Sequence, residues 1–598
     1  MKKILVFAVV TLFSISVFAQ PMFDYNGIYY KPTSSTTVSV IANPDGTKYS
    51  GDITIPYTVR RGTIDFTVTS IADSAFYKCT ELTSIDLPTS ISVVGKVSFF
   101  DCRLLKSIEL PNITNVPYGA FCNCKKLESV DISNVTTIDE YAFSYCDSLK
   151  SISDLSNVKE IPREAFYRCV SLKSINIPNV ITIGRAAFYY CAFDTIDLPK
   201  VETIGVSAFL YCGNLKSINM PKVKILEGEA FRECNLTSLN LPATLDSIGK
   251  YALSYNLGLK YITIDEANEN FAVKDNVLYD KDFTKLIQYP IGQDSLSFSV
   301  LNTVTTIGRG AFAQCKYVER VDMPNVKIIE ASAFNKCFSL RSVNMPKVTA
   351  IGPTVFFGCL WIDAVDIPNV TTIDEEAFCR CSDLQKVVLG NKVDRIKSEA
   401  FSECTSLDTF RIITAMPPVL DDDVFEDTPS DMLIQVPCGA SSLYERIEGW
   451  ENFKNYEEVA PEVTVMSNDE KMGVVVLDRQ TTCDNPTAEM EAVPRSGYEF
   501  VKWSDENTEN PRVVTVEDED ITLTAIFQKI GTDVENVGIE GVTIYSDGEE
   551  LCVEGVEGEY QIYTMTGVLM YRGTDTRVVL PRGVYMVRCG RGTVKVAL

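Results

Sequence analysis

The chain has 598 residues, 45% hydrophobic and 23% charged, the composition of an ordinary ordered protein. Its 55 Lys and Arg against 80 Asp and Glu give a formal charge of -25. That is the wrong sign for a nucleic-acid partner, because phosphate binding needs a surplus of Lys and Arg on one face. Histidine is absent, so Ser-His-Asp and Cys-His catalytic groupings cannot form and the commonest general base is missing.

In chain order, Lys2 and Lys3 precede an apolar run from Ile4 to Phe18, and Val17-Phe18-Ala19 supplies small residues around a cleavage before Gln20. This is the three-part pattern of a secretory signal, residues 1–19. The run is shorter than the ~20 residues a spanning helix needs, so removal is expected rather than anchoring. No Cys stands at the cut to carry a lipid, and no later segment is long and apolar enough to span a membrane. The expected destination is the extracellular space or the outer cell surface.

A repeat then dominates. Phenylalanines recur at Phe76, Phe99, Phe121, Phe143, Phe166, Phe188, Phe209 and Phe231, with Leu253 in the same slot. After a gap the series resumes at Phe312, Phe334, Phe356, Phe378 and Phe401, and the steps are 21 to 23 residues in both blocks. This period lies in the range of leucine-rich repeats. Within one unit, Leu172, Ile175 and Ile177 form an L-x-x-L-x-L strand ended by Pro178, which cannot donate a ladder hydrogen bond. The two-residue period points Ile175 and Ile177 inward, Ser174 and Asn176 outward. Val180 and Ile183 make a second apolar step, Gly184 is assigned a turn, and Ala187-Phe188 closes the unit. No long 3.6-residue periodicity occurs, so the second half is expected to be extended or a short helical turn. A single coil cannot bury its apolar edge, whereas stacked coils can. Phe121, Phe143, Phe166 and Phe188 are therefore expected to form a buried ladder.

Thirteen of the 19 Cys stand three residues after these Phe, from Cys79 and Cys102 through Cys124, Cys146, Cys169 and Cys191 to Cys404. A residue locked to the repeat phase serves the repeat. Buried free thiols, small hydrophobes with weak hydrogen-bonding capacity, are expected ahead of disulfides. Metal is not expected: Cys122-Asn123-Cys124 and Cys379-Arg380-Cys381 lack a second pair at zinc spacing, and no His can help.

The outward strand residue can be read from each repeat: Asp86, Glu109, Asp131, Asn176, Asp197 and Asn219, then Asn240, Asp322, Asn344 and Asp366, with Ser153 interrupting. Beside it runs a line of serines such as Ser84, Ser107, Ser129 and Ser151. This acid and amide stripe is the candidate ligand-binding site, suited to a basic or polar partner. Short polar groups bonding to one another along a solvated sheet explain the same pattern. Aromatics are nearly absent from it, Tyr261 excepted, so sugar stacking is not expected on this face. The acidic run Asp421-Asp422-Asp423 with Glu426 and Asp427 lacks the alternation of an EF-hand loop and is read as a solvated loop. No phosphate-binding glycine loop occurs, and no cofactor is expected.

The unit C-x-x-L-x-x-I-x-L-P-x-x-x-x-x-I-x-x-x-A-F-x-x-C resembles the leucine-rich repeats of BspA-like bacterial surface proteins and their treponemal relatives. FDYNGIYYKP (Phe23 to Pro32) and YSGDITIPYTV (Tyr49 to Val59) resemble that family's N-terminal cap. Asn270 to Pro290 resembles its β-hairpin island, and Met416 to Phe453 its C-terminal cap. Val463 to Phe527, with GYEFVKW and ITLTAIF, is similar to the divergent B-repeat modules of bacterial surface proteins. The ending GVYMVRCGRGTVKVAL resembles the C-terminal sorting domain of type IX secretion in Bacteroidetes, with Ser546-Asp547-Gly548 where Asn-Pro usually stands.

The expected fold is a β-rich leucine-rich-repeat solenoid followed by two small all-β domains. Its boundaries are: signal 1–19; N-terminal cap 20–65; first repeat block 66–256; hairpin island 257–300; second block 301–415; C-terminal cap 416–460; β-grasp-like module 461–529; and C-terminal β-sandwich 530–598. The resemblance implies adhesion, with host or bacterial surface proteins, matrix proteins or glycans as partners, and no catalysis. A structural spacer without a specific ligand is the alternative, and a hydrolase built on a carboxylate pair a remote third.

Overall fold

A computed structural model describes residues 21–110, 112–517, 519–530, 542–547, 550–556, 558–590 and 592–597. The expected signal peptide lies outside them. The described chain divides into two compact units, one ending at Glu457 and one beginning at Glu458.

The first unit is a solenoid in which each coil gives a short strand to each of two parallel sheets. On one side Ser107–Glu109, Ser129–Asp131 and Ser151–Ile152 pair in register, with Ser over Ser and Glu109 beside Asp131. On the other, Glu160–Ile161, Thr182–Ile183, Thr203–Ile204, Ile225–Leu226 and Ser247–Ile248 form one five-stranded sheet. The expected strand over Ser174–Ile177 does not form. Ile152 and Leu155 are three residues apart, where Val130 and Ile132 in the preceding coil are two apart. That extra residue shifts the outward positions, so Asn176 donates to Asp154 at 2.9 Å and the first sheet is interrupted.

Between the second strand and the next repeat, each coil runs through consecutive turns centred on the phenylalanine. Residues two before and two after it take φ near +60°: Tyr141 and Tyr145 around Phe143, Glu164 and Arg168 around Phe166, Ala186 and Tyr190 around Phe188. Most are not glycine, and such a conformation costs about 1–2 kcal/mol per residue. It is sustained because it points alternate amides along the solenoid axis. The N–H of Tyr141, Phe143 and Tyr145 donate to the carbonyls of Arg163, Ala165 and Tyr167 in the next coil, at 3.3, 2.8 and 2.7 Å. The intervening N–H groups of Ala142, Ser144 and Cys146 fold back three residues within their own coil. The second half of the unit is thus a two-residue strand and a stack of alternating-hand turns. Gly184 does not turn the chain by a positive φ. A Cβ there would stand 2.8 Å from the Arg163 nitrogen of the coil beside it, so the slot serves a close approach, one that recurs at Gly205, Gly249 and Gly352 in the same place of their coils.

Phe76 to Phe231 stack with centroids 5.1–5.5 Å apart and planes within 3–23°. This is offset stacking, worth about 0.5–1.5 kcal/mol per pair beyond burial. The ladder is longer than the sequence shows. Tyr49 packs on Phe76 at one end, and Phe425 stacks on Phe401 at the other, against Trp450 and Phe453. In the expected gap Tyr289 takes the slot: it stacks on Phe312 at 4.7 Å, and its N–H donates to Ala311 as a ladder Phe would. The expectation missed it because the hairpin insertion lengthens that coil and Tyr replaces Phe.

The phase-locked cysteines are free and buried. Each Sγ from Cys102 to Cys234 donates to the carbonyl of the phenylalanine one coil earlier, Cys146 to Phe121 and Cys169 to Phe143 among them, at 3.1–3.3 Å. In the one coil with Leu253 for Phe, the Cys slot holds buried Asn256. Its Nδ2 donates to Phe231 at 2.9 Å, doing with an amide what the thiols do.

The island is a three-stranded meander, Phe271–Lys274, Val277–Asp280 and Lys285–Gln288, whose last strand pairs parallel with Thr306–Ile307 and starts the second block's sheet. Leu278 packs in the first block's core, Val277 and Tyr279 in the second's. One strand therefore serves two cores with its two faces.

In the second unit, Val463–Ser467, Ile521–Lys529 and Tyr498–Trp503 form one sheet and Gly473–Arg479, Thr487–Pro494 and Arg512–Thr515 another. Met490, Trp503 and Phe527 are packed in their core. The described residues from Val542 on form a three-stranded and a four-stranded antiparallel sheet, with Tyr560–Thr564 and Leu569–Gly573 turning at Gly567.

Replacing fully buried Phe188 with Ala should cost about 3–5 kcal/mol; an unchanged thermal midpoint would rule out the stacked ladder. Burial pushes the thiols of Cys212, Cys315 and Cys404 up to about 12 from an ordinary 9.0. Between those two values the unfolded chain has lost protons that the folded chain retains, so stability falls as pH rises through that window, and these groups cost nothing below it. The urea midpoint should therefore drop steadily above pH 9.0; a midpoint that is flat there contradicts the buried-thiol assignment. Asn256→Ala, which strands the Phe231 carbonyl and the Leu236 N–H that Asn256 Oδ1 accepts, should lose about 1–3 kcal/mol by chemical denaturation, and Asn256→Cys, which restores the donation to Phe231 alone, should recover part of that loss.

Candidate functional site

The strand face places the predicted stripe in solvent. Asp86, Glu109, Asp131, Asn176, Asp197 and Asn219 are all exposed. Glu109 stands opposite Asp131 and Asp197 opposite Asn219, while Asn176 is turned to Asp154 by the extra residue. Amides answer acids where they alternate: Asn219 donates to Asp197, and Asn344 to Asp322, each at 2.7 Å. At the start of the solenoid Thr83 and Ser84 both donate to Asp52, at 2.6 Å, which holds that carboxyl below its ordinary range. Glu109 and Asp131 are the exception, two like charges in register with no amide between them. Among the described residues, the Asp131 carboxylate accepts only a local backbone N–H, from Ser133 at 3.2 Å.

The other exposed feature is the ridge formed by the turns. Tyr118, Tyr141, Tyr145, Tyr167, Tyr189, Tyr190 and Tyr211 come from five consecutive coils. Tyr167 and Tyr189 stack at 4.6 Å, Tyr190 and Tyr211 at 4.7 Å, and Tyr145 and Tyr167 meet at 5.3 Å. The Arg168 guanidinium lies 5.8 Å from the Tyr145 ring and 5.3 Å from that of Tyr190, and Arg232 lies over Tyr255 at 4.8 Å. Tyr118, Tyr145 and Tyr190 keep 45%, 40% and 38% of their surface exposed, so the ridge is a surface and not an extension of the core. Burial and the nearby Tyr167 and Tyr211 push the Tyr189 hydroxyl up to about 12, so it stays a donor. Reading the strand face alone missed this ridge. Its signal is present in sequence as tyrosines one and two places after the repeat Phe, in AFSYC, AFYRC, AFYYC and AFLYC.

Below the island a cleft of about 280 Å³ is lined by Tyr251, Ser254, Phe271, Lys285, Arg309 and Glu330. Three of its charges satisfy one another, Glu330 meeting Lys285 at 2.6 Å and Arg309 at 3.8 Å. The acidic run at 421–427 is not a free loop: Asp423 and Asp427 are the two positive-φ residues flanking Phe425, and Asp421 accepts Arg395 at 2.5 Å. It is the turn of the last coil. Among the described residues no group of Cys, Asp and Glu is placed to hold a metal ion, and no helix is long and apolar enough to cross a membrane.

A family model described as the BspA type leucine rich repeat region matches residues 69–193, 181–297 and 305–430. A second, the divergent InlB B-repeat domain, matches residues 463–531. No curated protein matches significantly. Among solved structures, a leucine rich cell surface protein from Faecalibacterium prausnitzii is 26% identical at a TM-score of 0.46, over 66% of this chain and 95% of that one. The pneumococcal vaccine antigen PcpA is 18% identical at 0.41, over 73% and 98%. A leucine-rich repeat protein from Bacteroides ovatus is 22% identical at 0.39, over 73% and 99%. The repeat match spans both blocks that carry the phenylalanine ladder, and the chain belongs to the BspA-type leucine-rich-repeat family.

Proposed function

We propose that this chain is a non-catalytic binding scaffold presented outside the cell, acting as an adhesin toward host or bacterial surface or matrix components. The Glu109–Asp131 pair carries the reading. Elsewhere the strand face relieves repulsion between neighbouring acids with an amide, as at Asp197–Asn219 and Asp322–Asn344. Like charges directly opposite on paired strands are destabilising, and a local rule broken without compensation marks a functional position. With Asp86 in the coil before, the pair offers three acids in a row to a basic or polar partner. The cell-surface setting is supported by the likeness to the Faecalibacterium cell surface protein and by the B-repeat module. The sorting role of residues 530–598 belongs to the same proposal and rests on the resemblance of its closing strands alone.

The self-satisfied part of the stripe favours a second reading, a spacer with no specific ligand. The full chain passed over immobilised matrix proteins, glycans and whole cells separates the two. The adhesin reading expects saturable binding that weakens as salt rises, because charge complementarity acts largely through association rate, and that weakens again in Glu109→Gln with Asp131→Asn. No saturable binding to any surface would leave the spacer. Salt-insensitive binding unaffected by the double variant would remove the acid stripe from the site.

A further inference from the structure

The turn ridge differs in every respect from the acid stripe, and its chemistry asks for a different partner. We infer that the ridge around Tyr145, Arg168, Arg185 and Tyr190 is a docking surface for an acidic polypeptide segment, independent of the strand face.

Charge is the first ground. Acids exceed Lys and Arg by 25 in this chain, and other arginines of the ridge find them: Arg163 meets Glu164 at 3.0 Å, Arg232 meets Glu229 at 2.8 Å, and Arg380 meets Glu403 at 2.9 Å. Arg168 and Arg185 are both exposed, and among the described residues neither has a carboxylate partner. Arg168 is instead held between the rings of Tyr145 and Tyr190, with its fork of donors open to solvent for a carboxylate. Glu140, Glu164, Glu229 and Glu233 are among the acids on these turns, with Asp139, Asp147 and Glu227. Glu164, Glu229 and Glu233 are each within ion-pair distance of an arginine. Acids on more distant coils of the solenoid are screened at the ~8 Å Debye length of physiological salt.

Preorganisation is the second ground. Tyr145, Arg168, Tyr190 and Tyr211 are themselves positive-φ residues, and their N–H groups donate to the next coil at 2.7–3.1 Å. The backbone beneath the patch is thus fixed before a partner arrives, which lowers the ordering cost of association. Tyr and Arg are the residue types that carry most of the energy in protein interfaces.

Ring geometry decides between a polypeptide and a saccharide. Tyr167 lies against Tyr189 with planes 7° apart, Tyr190 against Tyr211 at 25°, and Arg168 covers Tyr145 and Tyr190. One face of each of these rings is against a neighbour, which leaves less for a pyranose to stack on. Phenol hydroxyls and guanidinium groups suit the amides and carboxylates of a peptide.

The test uses the full chain with two probes of like charge and unlike backbone, poly-L-glutamate and polygalacturonate. Wild-type protein is expected to bind poly-L-glutamate saturably and more tightly than polygalacturonate. Arg168→Gln with Arg185→Gln should weaken that binding about tenfold or more, with no more than a small drop in the thermal midpoint from the lost Arg168 ring contacts. Arg185→Gln alone, which disturbs no ring contact, should give a smaller loss of the same sign. Glu109→Gln with Asp131→Asn should leave it intact, which separates this surface from the strand face. Equal or tighter binding of polygalacturonate would make the ridge a glycan site and overturn the inference. So would unchanged affinity in the arginine variants, or a ridge variant that shifts the sedimentation of the full chain instead, which would mark a second copy as the occupant.

Discussion

Half of the turn amides in each coil have no partner in their own coil. The N–H groups of Tyr141, Phe143 and Tyr145 point along the axis and are satisfied only by the carbonyls of the next coil. A buried amide left unpaired costs about as much as a lost hydrogen bond, so a coil is stable only beneath another. Stacking at a fixed step follows from that requirement. Once the step is set, phenylalanine rings fall into offset stacks, and the Phe carbonyl, already accepting from the Cys amide three residues on, lies within reach of the side chain one coil later. Thiol and amide both fit that place, as Cys146 and Asn256 show. A carbonyl has two lone pairs, and a side chain at the Cys slot fills the second.

The ends and the middle of the solenoid answer the same demand differently. Tyr49 closes one end of the ladder, while Phe425, Trp450 and Phe453 close the other with an aromatic cluster. In the middle, the strand Val277–Asp280 directs Leu278 to one core and Val277 with Tyr279 to the other. The two blocks are joined through a strand buried on both faces, which explains its near-continuous apolar character where the repeat strands alternate.

Periodicity made the solenoid readable. Phe121 to Phe188 and Cys124 to Cys191 recur with one phase because every coil needs the same groups at the same height. Tyr289 escaped because an insertion broke the count while the ring still stacks. The absent strand at Ser174–Ile177 escaped because a single extra residue beside Asp154 changes register without changing composition. The outward stripe was legible as a pattern. That Asn219 answers Asp197 while nothing answers Glu109 beside Asp131 depends on which residues share a rung, and register is a property of the fold. The tyrosine ridge was present in the letters, but its side chains differ from coil to coil, so no single position repeats. Adjacent coils bring Tyr145, Tyr167, Tyr189 and Tyr211 together from slots that are not equivalent.

The positive-φ positions flanking each phenylalanine carry Tyr, Glu, Arg, Ala, Ser, Thr, Lys and Gly in different coils. One backbone holds them all, since the bonds that fix it run through main-chain atoms. Anchoring and display are thereby divided between separate parts of the same residue, with the main chain bound to the neighbouring coil and the side chain left to make contacts of its own along the ridge. Such a surface can change its address by substitution alone: each coil is a socket whose occupant may be exchanged while the stack beneath stays in register.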